Sequence, residues 1–425
     1  MPIPLYWSLP FVLLLAAIAL MPLVAPHWWE RHYPKVAAAL ALLVAAYYLL
    51  VRRDPAPWLA EMKEYVSFVV LLGSLFVVSG GIAITVNSRA TPLANVVLLL
   101  VGAIVANVLG TTGAAMVLIR PYLRVNGPRV RPYHVVFFIF VVANAGGSLT
   151  PIGDPPLFLG YLRGVPFWWV FREMIGLWAL VVGLLLVVFF VIDTLNDRKR
   201  KDESAEATMG PWLNLTGTHN LLFIAMIVWA VFRPGLFEHG ISALRVADVL
   251  LSREVIMVAA ALASRRLTPP AIYRANDFTF GPIREVAILF AAIFSTMAPA
   301  LQYLEHHAHH LPIHTPGQYY FATGVLSSLL DNAPTYVTFL KTYQGERTIA
   351  ALLASPDSSA VVLAISAASV FWGACTYIGN GPNFMVKSIA TAAGVETPSF
   401  LEYVYKYTLP ILLPIYVIVW LVAFR

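Results

Sequence analysis

A single cysteine, Cys375, in 425 residues excludes an intrachain disulfide and leaves the compartment open. Charge is scarce as well. Charged residues make up 12% of the chain against 59% hydrophobic, with a mean hydropathy of +0.76, too little polar surface for a soluble globular protein. The chain has no Gly-x-x-x-x-Gly-Lys phosphate loop, no His-Glu-x-x-His metal helix and no nucleophile motif. Those absences argue against an enzyme, and against any need for a bound cofactor or an ATPase subunit. The first apolar segment lacks a basic leader and a small-residue cleavage site, so it reads as a retained helix rather than a signal peptide. The net charge of +6 reads as a topology signal, not as a nucleic-acid footprint.

Long apolar runs are what the chain does have. Stretches of the ~20 residues that span a bilayer run from Pro4 to Ala25, Val36 to Val51, Tyr65 to Val86, Phe167 to Ile192, His219 to Glu238, Arg284 to Leu304 and Phe400 to Phe424. Within this background two similar interruptions occur, Gly147-Ser148-Leu149-Thr150-Pro151-Ile152-Gly153-Asp154-Pro155-Pro156 and Gly373-Ala374-Cys375-Thr376-Tyr377-Ile378-Gly379-Asn380-Gly381-Pro382. Each carries Ile-Gly, a carboxylate or its amide, and proline two residues later. Such Gly and Pro density cannot continue a helix. Lipid tolerates the freed backbone only where it faces protein or a watery cavity.

The duplication extends upstream. Asn95 to Leu123 is broken at Asn107 and at Gly110-Thr111-Thr112-Gly113, and Tyr319 to Tyr343 at Ser327-Ser328 and Asp331-Asn332-Ala333-Pro334-Thr335. Each reads as a re-entrant hairpin that ends in a cation and then a tyrosine, Arg120 and Tyr122 or Lys341 and Tyr343. The fold class that follows is an all-α polytopic membrane protein of about ten transmembrane helices plus two re-entrant hairpins, in two inverted-topology repeats with broken helices. Residues 1–64 form N-terminal spans. Residues 65–192 form the first repeat (hairpin 94–124, broken helix 134–163), 193–217 a cytoplasmic linker, and 218–425 the second repeat (hairpin 317–343, broken helix 359–394). Basic residues at Arg89, Arg120, Arg124, Arg129, Arg131, Arg265, Arg266 and Arg274 and in the linker put those segments inside the cell. The stretch carrying His306, His307, His309, His310 and His314 has no Lys or Arg and falls outside; it reads as a solvated loop, with metal binding or pH sensing as the alternatives.

Cation exchange against protons needs oxygen ligands and a carboxylate that is ionised when it holds the cation and protonated when it does not. Asp154 and Asp331 are the two candidates, Asp331 the first. A carboxylate at the bilayer centre costs about 2.5 to 3.5 kcal/mol on insertion scales. Thr111, Thr112, Ser148, Thr150, Asn332, Thr335, Asn380 and Asn383 supply neutral ligands or helix-end supports, and Asn144 and Asn107 are further pocket candidates. Gly153, Gly379 and Gly381 make the helix breaks. Both aspartates have a second reading as helix caps.

The run Asn144-Ala145-Gly146-Gly147-Ser148-Leu149-Thr150-Pro151-Ile152-Gly153-Asp154, in a hairpin, broken helix, hairpin, broken helix order, resembles the ion transporter superfamily. Within it the run is most similar to the NhaD-type bacterial sodium/proton antiporters and the related arsenite-pump and citrate-carrier branches. One departure stands out: the NhaD-type tip resembles an Asp-Asn pair, whereas the first tip here is Gly110-Thr111-Thr112-Gly113 and the Asp-Asn pair is Asp331-Asn332 in the second. The resemblance implies an alternating-access carrier in the bacterial inner membrane, commonly a homodimer, with ions held at the hairpin tips. The expected function is Na⁺ or Li⁺ export in exchange for H⁺, with small cations, protons and the lipid bilayer as its partners. The alternative is a sodium-coupled di- or tricarboxylate carrier of the citrate type; an arsenite carrier and a channel rank lower.

Overall fold

The computed structural model describes residues 3–86, 90–198, 213–236, 249–307 and 313–425. Among these, nine helical stretches are long and apolar enough to cross a bilayer, and the chain is an all-α polytopic membrane protein. Its helices are α1 (Leu9–Val24), α2 (Pro26–Ala46), α3 (Ala56–Gly80), α4 (Pro92–Asn126), α5 (Pro132–Val141), α6 (Pro155–Leu162), α7 (Phe167–Arg198), α8 (Asn220–Val231) and α9 (Arg253–Leu267). There follow α10 (Pro270–Ala275), α11 (Gly281–His307), α12 (Pro316–Leu329), α13 (Asn332–Gln344), α14 (Ile349–Ala354), α15 (Pro356–Trp372), α16 (Gly381–Ala392), α17 (Phe400–Tyr403) and α18 (Leu413–Ala423). One short antiparallel ribbon was not expected from the sequence: β1 (Ala83–Val86) pairs with β2 (Leu213–Thr216), Ala83 opposite Thr216.

Two further expectations need correction. The run from His219 yields only the 12-residue α8, about 18 Å of helix against the ~30 Å needed to span. Pro234, which cannot continue a helix, follows directly on the turn at Phe232 and Arg233; Glu238 lies outside the described residues. The linker placed at residues 193–217 starts later, because α7 runs on to Arg198. Asp193 is 2% exposed and accepts hydrogen bonds from Tyr133 Oη (2.7 Å) and Asn95 Nδ2 (2.9 Å). The linker's Lys199–Lys201 core lies outside the described residues.

Two stretches of the chain fold back on themselves, 92–126 and 316–344. Gly110 adopts φ 73°, ψ 156°, a left-handed φ that glycine takes without a Cβ penalty, and this splits α4 into two arms. The arms lie side by side, since Asn95 near the start and Asn126 at the end exchange two amide hydrogen bonds of 2.8 Å. In the second hairpin Leu330 and Asp331 separate α12 from α13, and Tyr319 packs its ring edge-on against Phe339 and Tyr343. Their directions are opposed. The closing cation of the first, Arg120, pairs with Asp277 just before α11 begins (3.1 Å), whereas that of the second, Lys341, pairs with Glu305 in the last turns of α11 (3.6 Å). At 27 residues α11 is about 40 Å long, so the hairpins open at opposite ends of a spanning helix.

Around this core, α2 and α3 each pack on α11, with α9 and α8 against α3. An ion cluster joins that frame to the broken helix: Arg163, at the end of α6, donates from Nη2 to Glu61 (2.6 Å) and Glu64 (2.8 Å) of α3, with the guanidinium 5% exposed. Removing one partner of a buried ion cluster strands the other charges. We expect Arg163→Gln to lower stability by about 3–5 kcal/mol, read as a lower thermal midpoint in detergent, and adding Glu61→Gln and Glu64→Gln to recover most of it.

Candidate functional site

Each repeat closes its own break in the same way. In the first, Thr111 N donates to Gly153 O (2.8 Å), Thr150 Oγ1 donates to Asn107 O (2.6 Å) and accepts from Gly153 N (3.2 Å). In the second, Asn332 N donates to Gly379 O (3.2 Å), Thr376 Oγ1 donates to Ser328 O (2.6 Å) and accepts from Gly379 N (3.1 Å). The backbone groups freed by Gly and Pro are therefore satisfied between tip and break, as buried backbone must be. Asn107 adds to the first set, donating to Gly146 O (2.7 Å) and accepting from Leu149 N (2.8 Å). Its side chain braces the break.

The repeats meet at one carboxylate. Asp154, 1% exposed, accepts at Oδ1 from Thr111 Oγ1 (2.8 Å) and Asn380 Nδ2 (3.2 Å), and at Oδ2 from Asn332 Nδ2 (2.7 Å). These three donors come from the first tip, the second broken helix and the second tip, so Asp154 ties together all four interruptions. Behind it, Asn380 Nδ2 also faces Asn144 Oδ1 (3.2 Å) and Ala143 O (3.1 Å), and Asn144 Nδ2 donates to Asn383 Oδ1 (2.7 Å). Asn383 in turn donates to Gly373 O and Thr376 O. Four helical segments begin here: the second arm of α4, α6, α13 and α16. Their partial positive ends favour negative charge at this point. One acceptor stays unused: Asn332 Oδ1 is buried without a hydrogen-bond partner, which in a native interior calls for a cause.

Asp331, ranked first from the sequence, stands apart from this set. It is the N-cap of α13, accepting from Ala333 N (3.1 Å), and is only half-buried. Asp154, by contrast, makes no side-chain cap bond to α6. Thr335 donates to Asp331 O and Ser148 to Ala145 O, so both hydroxyls are committed to local backbone. Thr112 is half-buried and outside the cluster. Of the histidine-rich stretch, His306 and His307 finish α11, with His307 stacked on Tyr303, while His309 and His310 lie outside the described residues. Among the described residues no three His, Cys, Asp or Glu side chains gather as a metal site would require.

Sequence reasoning missed the Arg163, Glu61 and Glu64 cluster and the buried set around Asp193. In the latter, His134 accepts at Nδ1 from Arg131 N (3.1 Å) and turns Nε2 toward Asp193 (3.4 Å). A signal for that set existed, since Asn95 and Asn126 are polar residues nearly equidistant from Gly110 in an apolar hairpin.

Residues 1–424 match the CitMHS_2 family model, whose description reads "Putative citrate transport". No curated protein matches the chain.

Proposed function

The chain belongs to the CitMHS_2 family, and on that premise we propose that this multi-pass membrane transporter is a secondary carrier of citrate-like carboxylates, coupled to a cation held at Asp154. The observation that carries the reading is the convergence of both repeats on that one carboxylate, with the unpaired Asn332 Oδ1 beside it. A half-turn of the Asn332 amide would exchange its Nδ2 donor for Oδ1. That places two oxygens side by side, as a hard cation requires, where the present arrangement has a donor facing a carboxylate.

Electrostatics then gives the coupling. An anionic substrate is drawn by the four helix starts, yet an ionised Asp154 in the same low-dielectric space repels it. Binding of Na⁺ or H⁺ at Asp154 removes the repulsion and leaves the helix dipoles to hold the anion. Substrate and cation thus load together, and re-entrant hairpins opening to opposite faces give each side its turn at the site. The gradient of the cation, not ATP, supplies the driving force.

Purified protein in liposomes containing a pH-sensitive dye tests this. We expect labelled citrate uptake to rise at least about tenfold, 1.4 kcal/mol of driving force, under an inward Na⁺ or H⁺ gradient. Absence of citrate uptake under every gradient would overturn it. The second reading, Na⁺ or Li⁺ antiport against H⁺, is favoured by Asp154 being the one ionisable member of the bonded cluster. It requires dye dequenching by Na⁺ or Li⁺ without citrate.

A further inference from the structure

A second cleft, which shares no residue with the Asp154 cluster, lies between α9, α10 and the turn that precedes α11. It measures about 560 Å³ and is lined by Arg265, Tyr273, Arg274, Asp277 and Phe278, among others. Its two cations make no ion pair with the one carboxylate of the lining, Asp277. Asp277 is engaged by Arg120 of the first hairpin (3.1 Å), and among the described residues neither Arg265 nor Arg274 forms an ion pair. Instead the Arg265 guanidinium lies over the Tyr273 ring, 4.3 Å from its centroid, which fixes its direction without neutralising it.

The cleft is also pre-built. Asn276 is buried and donates to Gly80 O (2.9 Å) and Ile82 O (2.7 Å) at the end of α3, and Phe278 N donates to Tyr273 O (2.9 Å). These bonds hold the α10 turn against the frame, so a ligand need not order it on binding. The surroundings are apolar and exposed. Val258, Leu262 and Arg265 fall on one face of α9, Leu262 is 61% exposed, and Phe280, exposed as well, packs edge-on against Phe278 of the lining. Because α11 begins its crossing at Gly281, the cleft sits at a membrane boundary, the one that the arginine count places on the cytoplasmic side.

Two uncompensated guanidiniums in a fixed cleft, bordered by lipid-exposed aliphatic and aromatic side chains, have the chemistry to take an anion that arrives with acyl chains attached. We propose that this cleft binds the phosphate-bearing headgroup of an anionic phospholipid, with Arg265 and Arg274 on the phosphate and the chains along Leu262 and Phe280. Guanidinium suits phosphate through its paired donors. Such basic sites at the cytoplasmic boundary are known hosts for anionic headgroups.

The test is native mass spectrometry of the full-length protein in neutral detergent, titrated with dioleoylphosphatidylglycerol or dioleoylphosphatidylcholine. We expect selective retention of phosphatidylglycerol, weakened roughly fivefold by Arg274→Gln alone and about thirtyfold by Arg265→Gln with Arg274→Gln. Arg266→Gln, a neighbouring charge outside the cleft, should leave retention unchanged, and a monodisperse elution profile shows that each variant is folded. Because Arg274 is exposed and unpaired, its substitution keeps the test informative if the double variant fails to fold. Equal retention of the two lipids, or undiminished retention in Arg274→Gln and the double variant, overturns the proposal. Displacement of the lipid by inorganic phosphate would assign the cleft to a soluble anion instead, and so would also overturn it.

Discussion

Asp154→Asn is expected to leave folded protein in the membrane and to abolish cation-coupled transport, with flux down by at least about a hundredfold. The folding half of this rests on Asn332. Substituting an amide for the carboxylate keeps one acceptor for Thr111 and Asn380 but turns an NH₂ toward the Asn332 Nδ2, now 2.7 Å from Oδ2. The clash is relieved by rotating the Asn332 amide, whose Oδ1 has no other partner, so that the new NH₂ meets an acceptor and the unpaired position passes from Asn332 Oδ1 to its Nδ2, a single unsatisfied group before and after. Asp154→Ala has no such escape. It strands donors from Thr111, Asn332 and Asn380 in a buried space, at about 1–3 kcal/mol for each group left unsatisfied. The functional half rests on charge alone: an amide neither loses a proton nor balances Na⁺. Uptake driven by a cation gradient, measured beside yield and elution profile, separates the two. Wild-type coupling in Asp154→Asn would remove Asp154 from the mechanism, and Asp331 would then be the carboxylate to examine.

The two repeats share a backbone plan and differ in where they carry charge. In the first, the broken helix has Asp154 and the tip has Thr111; in the second, the broken helix has Asn380 and the tip has Asp331 with Asn332. Because the first tip donates and the second broken helix donates, both can point at Asp154. Were Asn380 also a carboxylate, two like charges would compete for one set of donors. The asymmetry in sequence thus places one carboxyl group at the centre of the bonded cluster rather than two.

That much was legible from the chain. Single prolines such as Pro299 sit inside unbroken helices, but glycine and proline clustered with polar residues mark breaks, and the repetition of Ile-Gly-(Asp or Asn)-x-Pro locates them in both halves; the same clustering points to Gly110 and Asp331 as the turns of the two fold-backs. The chain does not reveal which of two tip-level carboxylates turns inward. Asp331 and Asp154 have similar local sequences, and the choice is made by partners roughly 180 to 230 residues away. Arg163 was hidden for a related reason. Its partners Glu61 and Glu64 lie in another helix about 100 residues earlier, and in the sequence both look like ordinary interfacial charges. Short α8 shows a third limit, since hydropathy carries on past Val231 while Pro234 ends the helix.

Glycine substitutions in the breaks should divide sharply, and the division is a direct test of the close approach that makes the site. A Cβ on Gly153 would fall 2.0 Å from Gly147 O, and one on Gly379 would fall 2.6 Å from Gly373 O and 2.8 Å from Ser327 O. These are backbone atoms in the hydrogen-bonded seams between tip and break, so no side-chain rotation relieves the overlap. The cost should exceed the about 1–3 kcal/mol typical of overpacking in a core. We expect Gly153→Ala to lose transport altogether, through collapse of the folded yield or through displacement of Asp154 from its donors, and Gly379→Ala to be nearly as severe. Gly381, the first residue of α16, behaves oppositely. It meets nothing within 4 Å of an added Cβ and has no positive φ, so Gly381→Ala should keep transport and gain about 0.4–1 kcal/mol by restricting the unfolded chain. Flux and thermal midpoint measured on the three variants decide the matter. If Gly153→Ala kept wild-type flux, the seam between Gly147 and Gly153 would have to be wider than the structure has it, and Asp154 would lose its fixed place between the repeats.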